Sequence, residues 1–172
     1  MQRPQPGEYA PYYDRYVVLA TSDPLLQLRD QRRDVMDLFG GLSAEAAGYR
    51  YAPEKWSLRQ LLGHMTDADR VFGFRAYCFA RGEKAPLPSF DQDVYVEGGR
   101  YDARSMPSLV SEFLAVRQTL IELFDSLEPE AWGRIGTASD VQVSVRALAF
   151  IAAGHAEHHL RVARERYQRP SS

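Results

Sequence analysis

Residues 56–80 read WSLRQLLGHMTDADRVFGFRAYCFA, and this stretch defines the start, the length and the inward side of a central helix. Ser57 is a typical N-cap residue, and Gln60 follows it at the spacing of a capping box. Trp56 and Leu61 flank the first turn, where they can pack together as a hydrophobic staple. The sequence therefore predicts a helix that begins at Leu58. Its apolar residues recur at helical spacing and form one broad buried side: Leu61, Leu62, Met65, Ala68, Phe72, Ala76 and Phe79.

Three other segments also have helical apolar spacing. Each begins at a capping residue or a proline, and the first one ends at a Gly-Gly pair. Between the second and third helices, residues 82–105 contain two prolines and lack a helical period, and the linker at 134–143 is rich in turn-forming residues. The sequence predicts an all-α fold, a four-helix bundle with a long connection between helices two and three. The other three helices are expected at 24–39, 107–127 and 145–167.

The first 23 residues have a different character from the rest of the chain. Their prolines block regular structure, and their tyrosines have large apolar faces that favour packing. We therefore expect residues 1–23 to form an arm packed on the bundle. A chain of 172 residues is within the usual size of one core, so we expect residues 1–172 to form a single helical domain.

Composition excludes several functional classes. The net charge is −2 and there is no dense basic run, which argues against nucleic acid or an anionic membrane as the main partner. The apolar stretches are too short to cross a bilayer, and the first residues lack the apolar run of a signal peptide. The single cysteine, Cys78, cannot form an internal disulfide. We expect a soluble, cytoplasmic protein.

The four histidines are His64, His155, His158 and His159. His155 and His159 are four residues apart on the last predicted helix and fall within its apolar stripe, whereas His158 lies about 60° to one side. Side chains at this spacing project over the same turn and can bind one ion, and His64, half facing the core, could supply a third ligand. Spacing alone leaves open whether these rings bind metal or are packed core histidines without an ion.

Several other residues could belong to the same site. We expect His158 and Asp67 at its rim, with Asp67 or Asp69 able to orient a ligand ring, although charges on a helix usually lie at the surface. Arg75 is nearly in line with His64 farther along the helix and could contact an anionic substrate. The loop at 82–105 could cover the pocket with its aromatic residues Phe90, Tyr95 and Tyr101.

The stretch KWSLRQLLGHMTDADRVFGFRA (55–76), followed much later by AGHAEHHLRVARERY (153–167), resembles the DinB/YfiT-like superfamily of four-helix metal-binding proteins. GEYAPYYDRYV (7–17) and PLPSFDQDVYV (86–96) are similar to one stand-alone bacterial branch of it, so the resemblance spans nearly the whole chain. It implies that His64, His155 and His159 are the ligands of one divalent ion, which could be Zn, Ni, Mn or Fe. It also implies a homodimer.

The resemblance leads to three hypotheses about function. The first is a metal-dependent thiol transferase or hydrolase that acts on a small molecule, with a low-molecular-weight thiol as one candidate substrate and an ordered water or a thiolate as the nucleophile. The second is a non-catalytic helical binding module stabilised by its ion. The third is a scaffold without metal. Fold and ligand set alone do not choose among these chemistries.

Overall fold

The computed structural model describes residues 1–167 of the chain, and most of these residues are helical. A short hairpin of β1 (Ile135–Ala138) and β2 (Val141–Ser144) precedes the last helix. The helices of the described chain are α1 (Asp14–Val17), α2 (Pro24–Phe39), α3 (Ala44–Gly48), α4 (Leu58–Ala80), α5 (Gln92–Gly99), α6 (Met106–Asp125) and α7 (Val145–Arg166), with short 3-10 turns at Pro11–Tyr13, Tyr101–Ala103 and Pro129–Gly133. The long helices α2, α4, α6 and α7 form a four-helix bundle, as predicted.

The start of α4 agrees with the sequence prediction. The Ser57 hydroxyl accepts a hydrogen bond from the Gln60 backbone N–H at 3.1 Å, and the Gln60 side chain accepts one from the Ser57 backbone N–H at 3.0 Å. These two bonds complete a capping box and satisfy two backbone donors that the first turn leaves free. The helix start, and with it the position of His64, is fixed locally.

Within the bundle, α2 and α4 lie diagonally opposite each other, and each packs against both α6 and α7. Helices α4 and α6 run in the same direction, because Asp67 contacts Tyr101 just before α6, and Arg70 pairs with Glu112 farther along both helices. A helix of 23 residues is about 34 Å long. Residues 81–105 must therefore return along the whole bundle, which accounts for the long connection between α4 and α6.

Two segments that the sequence predicted to be irregular contain regular structure. The long connection holds α5, whose start is capped by the Asp91 carboxylate through the backbone N–H groups of Asp93 and Val94. The linker at 134–143 forms the β1–β2 hairpin, whose two turn residues, Ser139 and Asp140, have φ values of 53° and 61°. Positive φ at both central positions is typical of a two-residue hairpin turn.

The apolar core consists of two clusters that meet near the middle of α4 and α7. Phe72 and Ala152 belong to one cluster, and Met65 and Ala156 to the other. Buried polar groups are concentrated where these clusters meet. The predicted position of His64, half facing the core, is wrong, because this side chain is buried and only 2% exposed.

The N-terminal arm packs against α7. Tyr16 and Val17 are buried, and a Cβ atom at Gly154 would lie only 1.8 Å from the Tyr16 carbonyl oxygen. Glycine at this position therefore permits the backbones of the arm and α7 to approach closely. Nearer the start of the arm, Glu8 forms an ion pair with Arg146 of α7 at 2.6 Å. Within residues 1–167, no helix combines the length and the apolar character that crossing a bilayer requires.

Candidate metal centre

Helices α4 and α7 bring three histidine rings together at the centre of the bundle. The Nε2 atoms of His64 and His155 are 3.0 Å apart, and those of His155 and His159 are 3.1 Å apart. A ligand atom from each of the three residues lies within 4.8 Å of the other two. The structure thus assembles the three histidines that the sequence singled out, while their role as metal ligands stays a prediction.

The spacing of these nitrogens fits a small divalent ion. Imidazole nitrogens bound to zinc at about 2.0–2.1 Å in a tetrahedral arrangement are roughly 3.3 Å apart. The two Nε2 separations of 3.0 and 3.1 Å are close to that value. Three neutral rings would leave further coordination positions open, as in catalytic rather than structural zinc sites.

Burial keeps the rings in the neutral form that binds metal. Desolvation, with a smaller effect from His158, lowers the pKa of His64 to about 4. Burial likewise lowers the pKa values of His155 and His159 well below the usual value, and the neighbouring imidazoles add to the effect. At neutral pH the lone pairs of these nitrogens are therefore free to bind a cation.

Aromatic side chains enclose the histidine cluster. The Trp56 ring lies 4.7 Å from the His64 ring, and the Tyr16 and Phe72 rings lie 5.1 and 5.6 Å from the His155 ring. His64 Nδ1 is buried without a hydrogen-bond partner among the described residues. Packing against Trp56, rather than the hydrogen bond that usually orients a metal-ligating ring, therefore sets the orientation of His64.

The aspartates near His64 do not orient its ring. Asp67 accepts hydrogen bonds from the Tyr101 hydroxyl and from Arg70, and Asp69 forms a buried ion pair with Arg117 at 2.6 Å. Within residues 1–167 neither carboxylate is hydrogen-bonded to a histidine. The expected surface position of Asp69 is also wrong, because only 2% of the residue is exposed.

His158 lies beside the cluster, outside the group of converging nitrogens. Its ring is 4.9 Å from that of His159 and 5.8 Å from that of Tyr16, and the residue is partly exposed. This placement matches the side position that helical phase indicates. His158 therefore contacts the site without joining the three nitrogens at its centre.

Two cavities reach the histidine cluster. The first, which we call the tyrosine cavity, has a volume of about 450 Å³ and is lined by residues that include His64, His155, Arg75 and three tyrosines of the arm. The second, with a volume of about 350 Å³, is lined by His158 and His159 together with Lys55. An apolar groove of about 390 Å³ between α4 and α6 includes no histidine. Histidines of the cluster thus line two separate cavities.

The expected cover of aromatic residues is only partly correct. Phe90 lines the tyrosine cavity, but Tyr95 packs edge-on against Phe90 at 5.4 Å and lies outside it. Tyr101 is buried against Gly63 and donates its hydroxyl to Asp67, so it does not cover the histidines.

Four further residues line the tyrosine cavity that the sequence did not predict to belong to the site. The sequence showed a tyrosine-rich arm, but nothing in it located the arm next to the site. The residues missed were Tyr12, Tyr13, Tyr16 and Ser139.

Comparisons with known proteins agree with this architecture. The sequence model of the DinB superfamily matches residues 27–163. Among solved structures, YfiT from Bacillus subtilis, described as a probable metal-dependent hydrolase with an unusual four-helix bundle topology, is similar with a TM-score of 0.76 and 12% identity. The match covers 95% of this chain and 90% of YfiT, and at this identity it shows a shared fold. No curated protein sequence matches the chain significantly.

Proposed function

The chain belongs to the DinB superfamily, and from this premise we propose that it is a metal-dependent hydrolase that acts on a small molecule. One observation carries the proposal: three neutral imidazoles converge, with His64 and His155 at the wall of the tyrosine cavity and His159 at the wall of the second cavity. A purely structural histidine cluster has no need of a cavity beside it, whereas a catalytic centre requires one. The description of YfiT as a probable metal-dependent hydrolase supports the same reaction class.

In this proposal His64, His155 and His159 hold one divalent ion. Zinc, nickel, manganese and iron all accept imidazole ligands, so the donor set does not select among them. When bound, such an ion supplies Lewis acidity, which lowers the pKa of water and polarises a carbonyl group. The helices provide the preorganisation, because His155 and His159 lie on successive turns of α7 and the capping box positions His64 on α4.

The remaining residues of the site would bind the substrate and limit access of water. Trp56 packs against the His64 ring and Phe72 against the His155 ring, and both contribute apolar surface. Tyr12, Tyr13 and Tyr16 line the tyrosine cavity and carry hydroxyls that can donate or accept hydrogen bonds. A small polar molecule could therefore enter from this side and present its reacting bond to the cluster.

Thiol transfer is the second candidate, and one observation favours it. Transfer needs room for a donor and an acceptor, and the second cavity, which is separate from the tyrosine cavity, is lined by His159. A low-molecular-weight thiol could occupy one cavity while its acceptor occupies the other. Hydrolysis needs only one organic substrate, so dependence of turnover on an added thiol distinguishes the two reactions.

The test is turnover by the full chain, purified without a histidine tag and loaded separately with zinc, nickel, manganese or iron. A panel of small esters, lactones and amides is assayed with and without bacterial thiols. We expect turnover with at least one ion, lost by about 100-fold or more in His155→Ala, since removing a ligand disrupts the centre. His158→Ala, which removes a ring outside the three converging nitrogens, is the matched control and should retain most of the turnover that does not depend on a thiol. Absence of turnover with every ion would favour the non-catalytic binding module. Equal turnover in His155→Ala and wild type would show that the histidine cluster is not the catalytic centre.

The family resemblance also leads us to propose that the protein is a homodimer and that it acts in the cytoplasm. Analytical ultracentrifugation at micromolar concentration is expected to show the mass of two chains. A single species with the mass of one chain would contradict the dimer.

A further inference from the structure

Arg75 is a buried cation that lacks an acidic partner. The residue is 3% exposed, yet the described part of the chain offers it no ion pair. The contrast with Arg117 is informative, because that buried guanidinium is paired with Asp69. Burying a charge without a counterion is unfavourable, so such a residue usually has a partner or a function.

The hydrogen bonds of Arg75 hold it in place without neutralising it. One terminal nitrogen, Nη2, donates to the Pro88 carbonyl oxygen at 3.0 Å and to the Ser139 hydroxyl at 2.8 Å. Within residues 1–167, Nε and Nη1 have no hydrogen-bond partner. The side chain is thus anchored through one nitrogen and keeps two donor nitrogens for another group.

The guanidinium lines the same cavity as the histidine cluster. Arg75 and Ser139 border the tyrosine cavity together with His64 and His155. A molecule that fills this cavity can therefore contact Arg75 and the histidine cluster at the same time. The tyrosine cavity thus joins a cationic binding group to the proposed reaction centre.

The charges around the tyrosine cavity favour an anion. Its one carboxylate, Asp91, is exposed and accepts hydrogen bonds from two backbone N–H groups at the start of α5. A second cation, Arg15, stacks on Tyr12 and Tyr16 with its guanidinium carbon 3.9 and 4.8 Å from the ring centroids. The positive charge of Arg75 is therefore not cancelled within the cavity.

We propose that the substrate carries a carboxylate and that Arg75 binds it, which makes Arg75 a determinant of substrate specificity. The proposal rests on the proposed function, since it places the carboxylate of the substrate at Arg75 and its reacting bond at the histidine cluster. A single buried guanidinium neutralises one negative charge, which matches a carboxylate better than a phosphate dianion.

The experiment measures anion binding by the full chain before and after metal loading. Monomethyl succinate, which has one carboxylate and one ester, is compared with the neutral dimethyl succinate in ligand-observed NMR titrations. We expect wild type to prefer the anion, and Arg75→Gln to weaken its binding about tenfold or more, as expected for loss of a charge-assisted hydrogen bond. Binding of dimethyl succinate should be unchanged. Arg81→Gln, an exposed position at the end of α4, is the matched control and should behave as wild type.

Three results would overturn the proposal. Wild type could bind neither ester or both equally, Arg75→Gln could bind monomethyl succinate as wild type does, or inorganic phosphate could bind more tightly than monomethyl succinate.

If circular dichroism shows that Arg75→Gln does not fold, Arg75→Lys replaces it. That variant keeps the charge but loses the anchored geometry, so it should still prefer the anion but bind it more weakly than wild type. If Arg75→Lys binds monomethyl succinate as tightly as wild type does, the result would count against the proposal. Anion-selective binding without turnover would contradict only the proposed function.

Discussion

Arg117 and Gln31 together connect all four long helices of the bundle. On α6 the guanidinium of Arg117 is fully buried and donates to Asp69 of α4 at 2.6 Å and to Gln31 of α2 at 2.8 Å. Gln31 in turn donates to the carbonyl oxygen of Ala153 on α7 at 2.8 Å. This network lies two residues from His155 along α7, so it fixes the position of the helix that carries two of the three histidines.

Arg117→Met should destabilise the protein strongly, because it leaves the Asp69 charge buried without a partner. We expect the free energy of unfolding in urea to fall by about 3–5 kcal/mol. The control is Arg29→Met, which breaks the exposed pair with Asp125 and should cost less than about 1 kcal/mol. Adding Asp69→Leu to Arg117→Met should recover part of the loss. Equal effects of the buried and exposed changes would contradict this account.

The buried histidines should make the stability of the metal-free protein depend on pH. The pKa of His64 is lowered from 6.5 to about 4, so between these values the unfolded chain binds a proton that the folded chain does not. Stability is therefore present above about pH 6.5 and is lost as the pH falls toward 4. For His64 alone, the full loss is on the order of 3 kcal/mol.

Urea unfolding in the presence of a chelator, near pH 7 and near pH 5, measures this dependence. The difference between the two pH values should be smaller in His64→Leu, which has no titrating ring at this position. Carboxylates with lowered pKa values, such as Glu8 and Glu112, lose their contribution mainly below pH 4.5 and are common to both proteins. The same change in unfolding free energy between pH 7 and pH 5 in wild type and in His64→Leu would contradict a buried neutral ring at His64.

At the scale of elements, the contact between the arm and α7 depends on Gly154. Gly154→Ala would place a methyl group against the Tyr16 carbonyl oxygen, so the arm must shift. We expect a loss of about 1–3 kcal/mol in stability and faster proteolysis of residues 1–20. Gly133→Ala is the control, because a Cβ atom there meets nothing within 4 Å. Unchanged proteolysis of the arm in Gly154→Ala would show that this close approach does not hold it.

The long helices could be predicted because their signals are local. Ser57 and Ser144 cap α4 and α7 at the predicted positions, and each helix then repeats its apolar residues over many turns. Helix α5 has a clear cap in Asp91, but only one of its residues, Val96, is buried, so its sequence has no period to detect. The hairpin turn at Ser139 and Asp140 lacks the Asn-Gly or Asp-Gly pair that would have indicated it.

The histidine cluster could be predicted only where helical geometry determines proximity. The spacing of His155 and His159 brings their rings together on one helix, and helical phase separates His158 from them. The approach of His64 depends on how α4 packs against α7, so the sequence alone made His64 a possible third ligand and the family resemblance implied that it is one. Tyr16 and Ser139 reach the site from an irregular arm and from a hairpin turn, which no helical period could locate.

At the scale of the whole molecule, the parallel arrangement of α4 and α6 shapes the site. It requires a connection that returns along the bundle, and this connection contributes Pro88, Phe90 and Gln92 to the surroundings of the cavities. The N-terminal arm covers the other side through its tyrosines. The bundle therefore holds the histidines rigidly, while the segments outside it determine which molecules can reach them.

The metal content of the full chain, purified without a histidine tag, tests the central claim most directly. Elemental analysis by mass spectrometry should find one divalent ion per chain in wild type and in His158→Ala. His64→Ala, His155→Ala and His159→Ala should each lose most of it while remaining folded by circular dichroism. Wild type that holds no ion after incubation with zinc, nickel, manganese or iron, or a full equivalent of metal retained in all three variants, would contradict the assignment of this cluster as a metal centre.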